Sequence, residues 1–88
     1  MPSIYPNDYR TVIAALVKAR KEKRITQVQL ALAMRVSQSV ISKAERCERR
    51  LDIVEIMRIC ELLGVSVSSL TSAVPERFSA IGSDELAD

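Results

Sequence analysis

Eighty-eight residues are enough for one domain with a small core, but not for a deep active-site cleft. Aromatic content is 3%, so the core must be aliphatic, and two Gly with three Pro favour helices over strands and loops. Net charge is only +2, yet residues 1–50 carry eleven Lys or Arg against four acids (+7), and residues 51–88 carry two against seven (−5). That asymmetry suits a basic half facing a polyanion and an acidic half facing away from it. No run approaches the ~18 apolar residues of a membrane span. The opening MPSIYPNDY lacks the basic-then-apolar order of a signal peptide, so a cytoplasmic protein is expected. There is no His, and Cys47 and Cys60 are too few and too far apart for a zinc site. With no nucleophile beside a base and no Gly-rich phosphate loop, neither catalysis nor a cofactor is expected.

Taken in chain order, residues 1–6 read as an extended arm ended by Pro6. Asn7 or Asp8 is placed to cap helix 1, which runs to about Lys23 on a stripe of Tyr9, Val12, Ile13, Leu16 and Val17. Arg20 falls in the middle of that stripe. A cation on a buried face needs a partner, and Glu45, on the inward side of helix 3, is the natural one; otherwise Arg20 snorkels to water. Lys18, Lys21, Lys23 and Arg24 near the end of helix 1 can touch phosphate, keep that face solvated or oppose the helix dipole.

Thr26 with Gln29 forms a capping box opening helix 2, whose apolar positions are Leu30, Ala31 and Met34. Arg35 and Val36 break the helix, and Ser37 caps helix 3, which runs from about Gln38 to about Arg46. At 100° per residue Gln38, Ser39, Ser42, Lys43 and Arg46 fall within an arc of about 140°. Val40, Ile41, Ala44 and Glu45 lie opposite. Such an outer face is either an ordinary solvated surface or a reader of the DNA major groove. Amides and hydroxyls can bond base edges, and cations can bond guanine or phosphate.

The loop CERRL follows, where Arg49 and Arg50 are phosphate clamps or plain exposed charge. Cys47 is expected to be exposed, open to oxidation beside Arg46, Arg49 and Arg50. Asp52 with Glu55 caps helix 4, with Ile53, Ile56, Met57, Cys60 and Leu63 inward and Gly64 as its stop. Val54, Ile59 and Leu62 widen the stripe beyond one core face. Ser66 caps a short helix 5 with Val67 and Leu70 inward. The segment after Thr71 carries Pro75, Phe78, Ile81 and an acidic end. It reads as a short docking helix or a frayed tail, with the last five or six residues disordered.

The ordered pattern TQ, Ala31, Val36, SQS, Ile41, Glu45, then ERRLD and LLGVSVSSL, resembles the helix-turn-helix of the phage repressor and Cro (Xre) family over residues 12–70. Two positions depart from it, Arg35 and Cys47, where the family usually and often, respectively, has Gly. The resemblance implies an all-α fold: a five-helix, lambda-repressor-like DNA-binding domain over residues 7–72, with helices 2 and 3 as the motif. It implies sequence-specific binding of double-stranded DNA and transcription regulation, most often repression, with helix 3 in the major groove. Gln38, Ser39, Ser42 and Lys43 are then base readers. Gln27, Ser37, Arg46, Arg49 and Arg50 are phosphate contacts, Lys43 and Arg46 being open to either role. It also implies an Arg20–Glu45 salt bridge. A homodimer on an inverted repeat is expected, with Ile59, Leu62, Phe78 and Ile81 as interface candidates and the segment 73–88 as a possible dimerisation helix. An antitoxin that binds its operator and a toxin, or a protein-interaction module on the same fold, are the alternatives.

Overall fold

Most helices here start where a side chain closes the first turn. Thr26 Oγ1 accepts from Gln29 N–H (3.0 Å) while Gln29 Oε1 accepts from Thr26 N–H (2.8 Å), opening α2 (Gln27–Met34). Asp52 and Glu55 make the same reciprocal pair, 2.8 and 2.9 Å, at the start of α4 (Ile53–Leu63). Ser66 Oγ accepts from Ser69 N–H (3.2 Å) at the start of α5 (Val67–Thr71). Ser37 occupies the same position before α3 (Gln38–Glu45), but its side chain makes no capping bond. The computed structural model describes residues 5–82, all-helical in its regular elements.

Helix α1 (Pro6–Glu22) begins differently from the expectation. Pro6 is its first residue rather than the end of an arm, and Tyr5, not Asn7 or Asp8, is the cap residue, with no side-chain cap bond. The reason is that Pro lacks only an N–H that the first turn leaves unpaired, and its fixed φ already suits a helix. Residues 1–4 of the expected arm lie outside the described residues.

Four helices end in one way. A residue with φ near +60 to +70° follows the helix, and the next N–H reaches back five residues. The pairs are Arg24 with Ile25 N–H to Arg20 O, Arg35 with Val36 N–H to Ala31 O, Cys47 with Glu48 N–H to Lys43 O, and Gly64 with Val65 N–H to Cys60 O. This is the Schellman closure, which normally recruits Gly because a Cβ crowds the backbone there. Three of the four positions carry a side chain instead, so the turns expected at Arg35 and Cys47 keep the left-handed geometry and bear its strain.

The core is aliphatic. Ile13 and Leu16 of α1, Leu30 and Ala31 of α2, Ile41 and Ala44 of α3, Leu51 of the loop, Ile56, Ile59, Cys60 and Leu63 of α4, and Leu70 of α5 are buried. Helix α1 packs against α3, α4 and α5, while α2 packs against α3 and α4. Helix α4 is rotated by about 45° from the expected setting, counted at 100° per residue. Ile59, expected at a dimer surface, is 1% exposed and belongs to the core, whereas Ile53 and Met57, expected inside, are 62% and 44% exposed. Apolar residues lie nearly all round this helix, so packing on α1 and α2 chooses the face that goes inward.

No helix forms over residues 73–82, so within the described residues the C-terminal segment is not the short helix that was one of its two readings. It docks nonetheless. Arg77 grips Asp8 with two bonds of 2.8 and 2.9 Å, and the Phe78 ring meets Tyr5 edge-on at 6.2 Å. The acidic end, expected to be disordered, lies outside the described residues.

Candidate nucleic-acid interface

The motif is anchored from below by one buried ion pair. Arg20 donates from Nε to Glu45 Oε2 at 2.6 Å and from Nη2 to Oε1 at 2.9 Å, while its Nη1 donates to Ile25 O at 2.7 Å. Both side chains are less than a tenth exposed. The pair ties α1 to α3, and through the Ile25 carbonyl it also fixes the turn leading into α2. A forked guanidinium on a carboxylate sets orientation as well as distance. Among the described residues, every buried side-chain nitrogen and oxygen has a partner.

Glu45 also accepts from Gln27 Nε2 at 2.9 Å, and Gln27 Oε1 accepts from Gln38 Nε2 at 3.4 Å. A line of four side chains thus runs from the buried Arg20 through Glu45 and Gln27 to Gln38 at the surface. Periodicity places Gln27 and Gln38 eleven residues apart on different helices and gives no sign of this link. The residues expected to bind a phosphate and a base are therefore in contact with each other.

On α3 the outward residues Gln38, Ser39 and Lys43 are exposed, and Ser42 is half-buried. Ser42 Oγ accepts from Arg46, whose guanidinium also binds the Glu48 carboxylate. Arg46 follows the last residue of α3 rather than lying within it. Glu48 is held below the usual carboxylate range, first by the Arg46 hydrogen bond and charge and then, weakly, by Lys43. Ser37 is exposed at the start of α3.

The other expected phosphate contacts also have protein partners. Arg49 binds Glu55 at 2.9 Å, which lowers the Glu55 pKa, the backbone N–H of Asp52 adding to the effect. The Arg50 guanidinium lies 4.2 Å over the ring of Tyr9, a cation–π contact. Tyr9 in turn accepts from Leu51 N–H at 3.0 Å, so one aromatic residue of α1 fixes the loop after α3. Sequence reasoning placed Tyr9 in the core stripe and overlooked this second role. Cys47, expected to be exposed, is half-buried and packs against the core. Cys60 is buried, and burial pushes its thiol pKa up.

Two short helices joined by a left-handed turn, the second showing an exposed polar face over a buried ionic anchor, define a DNA-binding domain of the transcription-regulator helix-turn-helix type. A family model described as helix-turn-helix matches residues 16–70. The chain belongs to that helix-turn-helix family, of the Cro/C1 (Xre-like) kind, a family of DNA-binding domains rather than of enzymes. No curated protein and no solved structure matches the chain. Among the described residues, no helix is long and apolar enough to cross a membrane.

Proposed function

We propose that this protein reads a specific sequence of double-stranded DNA and represses transcription, acting as a homodimer on an inverted repeat. The observation that carries the reading is Gln38, exposed at the start of α3 with its amide already tethered to Gln27 and so to the buried Arg20–Glu45 pair. At 3.4 Å the contact is long for an N–H···O bond, so it biases the Gln38 amide without immobilising it. Gln pairs bidentately with adenine. Its Oε1 is left to accept from the adenine amino group, and its Nε2 keeps a second hydrogen for the ring nitrogen.

Ser39, Ser42 and Lys43 line the same face and complete the base-reading set. Gln27, Ser37, Arg46, Arg49 and Arg50 position the duplex through phosphates. The binding unit is residues 7–72, with Pro6 added at its start. For the dimer, Leu62, Phe78 and Ile81 are 45%, 75% and 73% exposed and stay as candidate contacts, while Ile59 is withdrawn. Sedimentation as a monomer at high micromolar concentration would refute the homodimer.

Selection from a random duplex pool tests the reading. The wild type should enrich an inverted repeat. Gln38→Ala should relax one position in each half-site, a loss of about 1–3 kcal/mol of discrimination there. Enrichment of no sequence, with binding that fades steeply as salt rises, would leave only phosphate attraction and sink the repressor reading.

A further inference from the structure

Glu48 departs from the pattern set by the other helix ends. Where α1, α2 and α4 close, the residue after the left-handed position is Ile25, Val36 and Val65, an apolar side chain placed to meet the last turn. Where α3 closes, that place holds Glu48, its side chain 53% exposed. The backbone geometry is the same, so the turn itself does not call for a carboxylate. The acid also lies among the cations at and after the end of α3: Lys43, Arg46, Arg49 and Arg50. Its carboxylate binds the Arg46 guanidinium and feels Lys43, and Arg49 and Arg50 follow it in sequence. An apolar residue there would add a contact and leave Arg46 with Ser42 as its remaining hydrogen-bond partner.

We propose that Glu48 competes internally with the DNA backbone, its carboxylate occupying Arg46 where a phosphate would otherwise bind. The inference rests on the DNA-binding reading above and specifies how its affinity is divided. Carboxylate and phosphate present similar oxygen pairs to a guanidinium, so one can replace the other. On an unmatched duplex α3 is not fully seated, and Arg46 stays with Glu48. That cation then releases no counterion, and the exposed carboxylate repels the nearest phosphates. On the matched sequence the base contacts of α3 hold the duplex close enough for a phosphate to displace Glu48. The device lowers binding to random DNA more than binding to the operator, and so raises the specificity ratio, the quantity that matters among many competing sites.

Glu48→Gln keeps the shape and removes the charge. Affinity for a random-sequence duplex should rise roughly three- to tenfold, the scale of one close charge pair in a high-dielectric setting. The salt slope on that duplex should steepen by about 0.9, one added phosphate contact. Affinity for the selected operator should rise less, so the specificity ratio falls. In an Arg46→Gln background the same substitution should lose most of its effect. Glu61→Gln, which removes the acid of the equally exposed Arg58–Glu61 pair on α4, should change neither affinity nor slope. Two results would overturn the inference while leaving DNA binding intact: a Glu48→Gln protein that matches the wild type on both duplexes, or a gain that persists undiminished without Arg46. A wild type that binds no duplex would overturn both readings together.

Discussion

Glu45→Gln removes one charge and almost no volume from a pair whose two side chains are less than a tenth exposed. Three donors converge on Glu45: Arg20 Nε, Arg20 Nη2 and Gln27 Nε2. The amide that replaces it offers one acceptor oxygen and an NH₂ that faces these donors. A buried guanidinium is thereby left without its counter-charge, a change that costs about 3–5 kcal/mol. At roughly 0.05–0.15 kcal/mol per residue, a chain of 88 residues has on the order of 4–13 kcal/mol to lose from. With a urea m-value of about 1 kcal/mol per molar for so small a domain, the midpoint should fall by about 3 M or more. Far-UV circular dichroism in urea reads this directly.

Two comparisons sharpen that measurement. Arg58 and Glu61 pair through a single bond of 2.6 Å within α4, with both side chains more than 60% exposed, and Glu61→Gln should cost at most about 0.5 kcal/mol. The double variant Arg20→Met with Glu45→Leu, apolar and similar in volume, should recover most of what the single substitution loses, because a buried ion pair gains little over a packed apolar one. If Glu45→Gln and Glu61→Gln cost the same, under about 1 kcal/mol, the pair is not acting as a buried unit. Arg20 would then be reaching water along its aliphatic stem.

The helix ends and the loop acids supply two further tests. Arg35 has φ +60°, a backbone that costs a Cβ-bearing residue roughly 1–2 kcal/mol, while Gly there loses about 0.4–1 kcal/mol in added unfolded-state freedom. Arg35→Gly should therefore raise the melting temperature by a few degrees and Gly64→Ala should lower it; an Arg35→Gly melting point at or below the wild type would refute the strain argument. Glu55 is held below the ordinary carboxylate range first by Arg49 and then by the Asp52 N–H. Its contribution to stability is complete above the unfolded value near 4.3 and is lost as pH falls through the lower folded value. The carboxyl carbon of Glu55 should accordingly titrate below an ordinary Glu carboxyl by NMR and move up in Arg49→Ala, and a midpoint insensitive to Arg49 would refute the assignment.

What the sequence determined by itself was local. Caps are made by residues three apart, so Thr26 with Gln29, Asp52 with Glu55, and Ser66 marked the starts of α2, α4 and α5 without any tertiary information. The two short helices, their polar outer face and the break between them followed from spacing in the same way. So did most of the buried residues of α1, α2 and α3, although Val28 and Leu32 of α2 are apolar and exposed. The tertiary structure decided whatever depends on residues distant in the chain. Helix α4 is apolar nearly all round, and only its packing chose Ile59 over Ile53 and Met57 for the core. The Gln27 amide lies between Glu45 and Gln38, eighteen and eleven residues away, because α2 and α3 meet at an angle that no periodicity encodes. The phosphate-side arginines were legible as charges, but their partners Glu48, Glu55 and Tyr9 depend on how the chain turns after α3. Short-range hydrogen bonds fix where helices begin and end, and burial fixes which way they face once they meet.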